Sequence, residues 1–183
     1  IIAINLEEKD NLVEVKKTDG SNDIILGTKN GIAIRFSEKD VREVGRTAAG
    51  VKGITLEDKD KVIGMVVVNL NRSTSILVVT KNGYGKRSDL SDYRITKRGG
   101  KGIITVKVSD KTGEMIAIKA VNDNDEFMII TQKGIAMRQA VSELRIMGRN
   151  AQGVKLIKLK EGDSIADIAR VISEDQDIED EEK

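Results

Sequence analysis

Leu77-Val78-Val79-Thr80-Lys81-Asn82-Gly83 is written three times in this chain with small changes. Its companions are Ile25-Leu26-Gly27-Thr28-Lys29-Asn30-Gly31 and Met128-Ile129-Ile130-Thr131-Gln132-Lys133-Gly134. The closing glycines stand 52 and then 51 residues apart, and the same offsets superpose other positions. Arg35 maps onto Arg87 and Arg138, Arg42 onto Arg94 and Arg145, Arg46 onto Arg98 and Arg149, and Gly50 onto Gly102 and Gly153. Leu6-Glu7-Glu8-Lys9-Asp10 likewise copies Leu56-Glu57-Asp58-Lys59-Asp60, so the chain is expected to begin inside a fourth unit. Self-similarity at this period marks an array whose units bury their hydrophobic faces against one another.

Each unit opens with an apolar run, Ile24 to Leu26, Ile76 to Val79 or Phe127 to Ile130. Asn30-Gly31 and Asn82-Gly83 then predict two-residue type I′ hairpin loops, which need positive φ at both central positions, whereas Lys133-Gly134 keeps only the glycine. The returning run alternates, with Ile32, Ile34 and Phe36 on one face and Ala33 and Arg35 on the other. A polar, glycine-bearing loop follows, and Ser37 to Val44 has room for a helical turn within a connection. A third strand is expected at Ile54 to Leu56, Ile104 to Val108 or Val154 to Leu159. After an acidic turn, a last strand is expected at Val62 to Val68, Glu114 to Val121 or Ser164 to Val171. Four strands per unit predict an all-β, propeller-like array of four-stranded blades with repeats of about 50 residues. Short β-branched runs with frequent glycines argue against a helical solenoid. The expected division is a partial blade at 1–22, blades at 23–74, 75–125 and 126–173, and an acidic disordered tail at 174–183.

The 183 residues contain no Pro, Cys or His and only 2% aromatics, so the core must be aliphatic. Without Cys or His there is no disulfide, thiol nucleophile, histidine base or soft-metal site, and no cofactor is expected. No apolar run approaches the ~18 residues of a membrane span, and no signal peptide is visible. The net charge of +1 hides an asymmetry: residues 174–183 hold seven acids and one lysine, a net of −6, leaving +7 on residues 1–173. A basic body with an acidic tail suggests a polyanion-binding surface with an attached competitor; a tail that only aids solubility is equally open.

Asn82-Gly83-Tyr84-Gly85-Lys86-Arg87, and Val141-Ser142-Glu143-Leu144 through Gly148-Arg149-Asn150-Ala151-Gln152-Gly153-Val154, resemble the C-terminal domain family of DNA gyrase A. The resemblance covers essentially the whole chain. It implies a β-pinwheel, a disc of propeller-like blades with duplex DNA bent around its rim. It further implies a bacterial cytoplasmic, nucleoid-associated protein whose partners are duplex DNA, the remainder of gyrase A and, through it, gyrase B. In such an assembly the ATP-dependent type II topoisomerase chemistry of negative supercoiling belongs to other parts, and this chain holds no catalytic site. The family's wrapping motif, Gln-Arg-Arg-Gly-Gly-Lys-Gly, has its nearest counterpart in Thr96-Lys97-Arg98-Gly99-Gly100-Lys101-Gly102, which keeps five of seven positions. In the family the motif lies in the first blade; here the counterpart lies in the next-to-last unit. The corresponding domain of the related topoisomerase IV is an alternative, and the regularity of the three units favours gyrase.

Backbone affinity for duplex DNA comes from repeated cations that neutralise phosphates and release counterions. Arg46, Arg98 and Arg149 meet that need from glycine-bearing loops, where backbone N–H groups also approach phosphate oxygens. Bonds to blade carboxylates or loop carbonyls are the structural alternative for them. Lys97 and Lys101 flank Arg98, and Arg42, Arg94 and Arg145 precede the loops. Lys86 and Arg87 are read as local charge near the Asn82-Gly83 hairpin, and Lys52 and Lys155 complete the candidate DNA-binding set. Arg35, Arg87 and Arg138 lie on strands with an inward face, so an inter-blade salt bridge and a phosphate contact are both open to them. Tyr84 is placed in blade packing ahead of phosphate bonding or stacking. Neither Tyr84 nor Tyr93 has the acidic metal site that strand cleavage requires, and nothing resembles a base-reading helix or stacking platform. A propeller scaffold that binds proteins through the same rim is the reading from a different class.

Overall fold

The repeated apolar runs become antiparallel hairpins, and one kind of turn closes all three. The computed structural model describes residues 3–8, 10–68 and 75–171, so the acidic stretch 174–183 lies outside the described residues. The first hairpin joins β1 (Asp23–Thr28) to β2 (Ile32–Ser37), and β3 (Val62–Val68) follows. The second unit holds β4 (Ser75–Thr80), β5 (Tyr84–Asp89), the short β6 (Ile103–Ile104) and β7 (Met115–Val121). The third holds β8 (Glu126–Thr131), β9 (Ala136–Ala140), the short β10 (Val154–Lys155) and β11 (Ile165–Val171). A one-turn 3₁₀ helix follows each hairpin, at Glu38–Asp40, Leu90–Asp92 and Val141–Glu143, within the connection where a helical turn is expected.

The hairpin turns are not type I′. Gly31, Gly83 and Gly134 have φ of +80°, +86° and +82°, but the only described non-glycine residue with positive φ is Lys59. The glycine amides donate to Thr28, Thr80 and Thr131 carbonyls at 3.0, 3.1 and 3.0 Å. This is a hydrogen-bonded turn followed by a left-handed glycine, the three-residue hairpin loop, and it demands positive φ at one position only. Lys133 therefore replaces Asn without changing the turn.

A second correction concerns the third strand. Each four-stranded sheet draws on two repeats: the orders are β3-β1-β2-β6 and β10-β5-β4-β7, and the last sheet is β11-β8-β9. Ile103 pairs with Ala33 and Val154 with Gly85, so the third strand of a unit crosses to the blade before it. These strands are two residues long, shorter than the expected runs, and Ile54 to Leu56 forms none. That first-unit segment has no preceding hairpin among the described residues to pair with.

Period-2 alternation gives each sheet two apolar faces, and the sheets stack face to face. Ile25 and Ala33 of the first sheet pack against Ile76 and Val78 of the second, with Tyr93, Met115 and Ile118 filling the junction. Leu77 and Val79 from the opposite face of the second sheet pack against Phe127 and Ile129 of the third, with Leu144, Leu156 and Ile168. Ile24, Ile34 and Phe36 form a smaller cluster on the outer face of the first sheet, covered by Ile54.

Candidate nucleic-acid interface

The crossing strand carries a loop with it, and that loop bears the second and third in-phase arginines. In the second unit the Thr96 amide donates to the Arg35 carbonyl at 2.8 Å, and Ile95 bridges in parallel to Arg35. In the third unit the Met147 amide donates to the Arg87 carbonyl at 2.9 Å, and Ile146 bridges in parallel to Arg87. Each loop is thus pinned to the preceding blade in the same register. Arg94 to Arg98 and Arg145 to Arg149 are therefore presented alike.

Glycine makes the close fit possible. Gly102 has φ +77°, and a Cβ there would lie 2.6 Å from the Ala33 carbonyl oxygen; at Gly153 it would lie 2.5 Å from that of Gly85. Gly99 donates to the Gly53 carbonyl at 2.6 Å, and Thr55 returns bonds to the Gly99 and Gly100 carbonyls. Within Thr96 to Gly102 the glycines thus serve packing, while Lys97 and Lys101 are exposed and carry the charge.

Arg98 and Arg149 do two things. Arg98 Nε donates to the Asp40 carbonyl at 2.8 Å and its terminal nitrogen to the Lys52 carbonyl at 3.0 Å. Arg149 makes the in-phase bond to the Ile104 carbonyl at 3.1 Å. Both are half-buried, so each guanidinium fastens its loop to the previous unit while keeping part of its fork at the surface. Arg42, Arg46, Lys52, Arg94, Arg145 and Lys155 are exposed. Lys101, Arg149 and Asn150 share a cleft of about 340 Å³ with Glu57 and Asp60 of the first unit.

Lys86 and Arg87 sit elsewhere, which corrects their assignment to the charged surface. The Lys86 side chain is buried in β5, where the residue is 1% exposed, and its ammonium donates to Ser88 Oγ at 3.1 Å and to the Gly148 carbonyl at 2.7 Å. Burial, with Arg149 nearby and against the pull of Asp92, pushes its pKa down to about 8. Arg87 is also buried; it pairs with Asp123 and donates to the Leu144 carbonyl at 2.5 Å. Arg35 does the same one blade earlier, pairing with buried Asp23 at 2.7 Å and donating to the Leu90 and Tyr93 carbonyls. The expected inter-blade salt bridge is not what forms: Arg35 and Arg87 pair with an aspartate of their own unit, and their bonds to the carbonyls of the next unit's loop tie the blades together. Arg138 pairs with Glu126 at the surface. The position of Lys86 is legible from phase, since it aligns with Ile34 and Met137.

Tyr84 is half-buried, and the ammonium groups of Lys111 and Lys155 stand 5.5 and 5.7 Å from its ring centroid. Lys111 is missing from the expected set because it lies in the acidic turn after the third strand. Tyr93 is buried, and its hydroxyl shares a 2.6 Å hydrogen bond with Thr105. Burial raises its pKa even though the Thr105 and Ser88 hydroxyls favour the phenolate. Among the described residues no cluster of three acids, His or Cys could hold a metal ion, and no helix is long and apolar enough to cross a membrane.

These features define a propeller-like array in which strands are exchanged between neighbouring blades and basic loops recur on successive units. The sequence matches the family described as DNA gyrase C-terminal domain, beta-propeller, at residues 22–69, 74–122 and 125–172, and the chain belongs to that family. It is 44% identical over 174 residues to DNA gyrase A of Staphylococcus epidermidis (strain ATCC 12228 / FDA PCI 1200), covering 95% of this chain and 20% of the relative. It is 43% identical over 183 residues to DNA gyrase A of Staphylococcus aureus (strain NCTC 8325 / PS 47), covering 99% of this chain and 21% of the relative. The chain thus spans about a fifth of these curated relatives. Among solved structures, a DNA gyrase A C-terminal domain superposes with a TM-score of 0.87 at 28% identity, covering 94% of this chain and 58% of that one. The C-terminal domain of a DNA topoisomerase IV superposes with a TM-score of 0.89 at 26% identity, covering 99% and 58%. The two folds are alike, and the sequence identity to DNA gyrase A supports gyrase over topoisomerase IV.

Proposed function

We propose that this chain binds duplex DNA without sequence specificity along its recurrent basic loops and bends it around the array. In the parent enzyme the bend supports ATP-dependent negative supercoiling by a type II topoisomerase, with cleavage and ATP hydrolysis in the rest of gyrase A and in gyrase B. The observation that carries this reading is the identical pinning of successive loops by the Thr96–Arg35 and Met147–Arg87 backbone bonds. A fixed register repeats cations at blade spacing, which suits the periodic phosphate backbone. A folded protein partner has no need of the same charge in each blade. Any sequence preference comes from how easily the duplex bends.

The test is affinity against salt for several unrelated duplexes. With roughly 4 to 8 phosphates neutralised, log affinity falls against log salt with a slope of about −0.9 per contact. Lys101→Ala flattens that slope by about one unit on every sequence, while Lys86→Met leaves it unchanged because the ammonium is buried. A slope near zero, or tight binding to one sequence alone, would overturn the reading.

A further inference from the structure

We infer that Lys86 is a positioning residue of the DNA interface: from inside the sheet, its ammonium holds in place the loop that carries Arg145 and Arg149. The inference rests on the DNA-binding reading above and adds to it a residue that itself touches no phosphate. The Lys86 ammonium donates to the Gly148 carbonyl at 2.7 Å, one residue before Arg149. It also donates to Ser88 Oγ at 3.1 Å, and that hydroxyl donates to the Met147 carbonyl at 2.8 Å. Two consecutive carbonyls of the loop are thus held by a lysine and a serine of β5.

The two basic loops share a register but not their fastenings. The loop at 94–102 is held by the first unit. Gly99 donates to the Gly53 carbonyl at 2.6 Å, and Thr55 donates to the Gly99 and Gly100 carbonyls at 2.6 and 2.9 Å. Arg98 adds its bonds to the Asp40 and Lys52 carbonyls. In phase with Lys86 and Ser88 stand Ile34 and Phe36, whose side chains offer no hydrogen bond. A cavity of about 90 Å³ lined by Ile34, Thr96 and Lys97 lies under that loop. The loop at 145–153 is held instead by Lys86 and Ser88 on the sheet side, with Arg149 donating to the Ile104 carbonyl.

Burying an ammonium opposes folding, and Lys86 stands where the other units have Ile34 and Met137. What the ammonium supplies is a loop fixed before DNA arrives, so that less ordering entropy is lost on binding. The charge also couples to the ligand. Burial holds the Lys86 pKa down to about 8, with Asp92 attracting the ammonium and Arg149 repelling it. Its strand partner Val78 is uncharged, and Tyr93 beside Ser88 keeps its proton because burial raises its pKa. A phosphate on Arg149 offsets the charge of that guanidinium and so raises the Lys86 pKa. By reciprocity, the protonated lysine favours the bound state.

The test is duplex affinity at fixed salt for wild type and Lys86→Met, measured by fluorescence anisotropy from about pH 7 to about pH 9, beside the salt slope. At the lower pH, Lys86→Met is expected to bind roughly three- to tenfold more weakly, because its loop must be ordered on binding. Its salt slope is expected to stay unchanged, since no phosphate contact is lost. Wild-type affinity is expected to fall with rising pH, by up to about tenfold for each unit by which DNA raises the Lys86 pKa. Lys86→Met is expected to stay level, and groups common to both chains cancel in the comparison. Ser88→Ala keeps the ammonium and is expected to weaken binding while retaining the pH dependence. Calorimetry of wild type near pH 8 in buffers of different ionisation enthalpy is expected to show proton uptake on binding, a readout that needs no variant. Equal affinities of wild type and Lys86→Met, or binding without proton uptake, would overturn this inference and leave the DNA-binding reading standing. A wild-type salt slope near zero would remove both.

Discussion

The first and third blades carry the same hairpin, the same turn and the same strand arginine, yet among the described residues the first arginine is covered and the third is exposed. Arg35 and Arg87 are each about 8% exposed at the side chain, whereas the Arg138 side chain is 57% exposed. Nothing in the local sequence accounts for this, because all three lie in phase on the second strand of their unit. The difference among the described residues is whether a neighbouring unit's loop reaches the arginine. Arg35 finds the Leu90 and Tyr93 carbonyls and Arg87 finds that of Leu144, and those groups arrive with the next repeat's loop. A repeat here is half of two junctions rather than a whole blade, so stability belongs to interfaces between neighbours.

The widest predicted gap in the comparison is between Arg35→Ala and Arg138→Ala. Removing Arg35 leaves buried Asp23 without its cation and is expected to cost about 3–5 kcal/mol. Arg138→Ala removes a surface pair worth about 0–1 kcal/mol. Denaturant titration of both variants measures the gap, and equal losses would break the distinction between the covered and the exposed arginine.

The middle junction is sharpened by pH. Lys86 has a folded-state pKa of about 8 against an ordinary 10.5, so between those values the unfolded chain holds the proton more tightly. Stability from this group therefore rises as pH goes from 8 toward 10.5, by up to about 3 kcal/mol. The check is the difference in unfolding free energy between wild type and Lys86→Met across that window: it should move in favour of wild type as pH rises. A flat difference would mean that the buried ammonium is solvated.

The smallest effect separates two glycines with the same backbone. Gly31→Ala and Gly134→Ala both incur the left-handed strain of about 1–2 kcal/mol. Only the first adds a collision with the Val106 carbonyl, for roughly 1–3 kcal/mol more. Thermal unfolding of the pair resolves it.

Much of the fold is legible in the residues. The repeat sets the hairpins, the aliphatic alternation sets two-faced sheets, and the phase of the arginines places equivalent groups on equivalent elements. Lys86 is legible in the same way, since its partners in phase are Ile34 and Met137; treating it as part of a basic run with Arg87 overlooks the pleat. The turn type is less accessible, because Asn-Gly fits both the two-residue loop and the three-residue loop with one left-handed glycine. Lys133 in the same turn tips the balance toward the latter.

Sequence alone determined that this chain is an aliphatic, all-β repeat with an arginine-bearing loop in every unit, because apolar periodicity and glycine spacing are local properties. Only the tertiary structure decided which unit each third strand serves. A two-residue strand such as Ile103–Ile104 contributes so few contacts that its own unit and the one before it look equally suitable in one dimension. The choice is made by the Gly102 backbone fitting under the Ala33 carbonyl and by the loop bonds to Arg35, which arise only when neighbouring sheets stack. That same stacking divides the in-phase cations into buried ties and half-free or exposed rim groups, because burial depends on the neighbour and not on the residue.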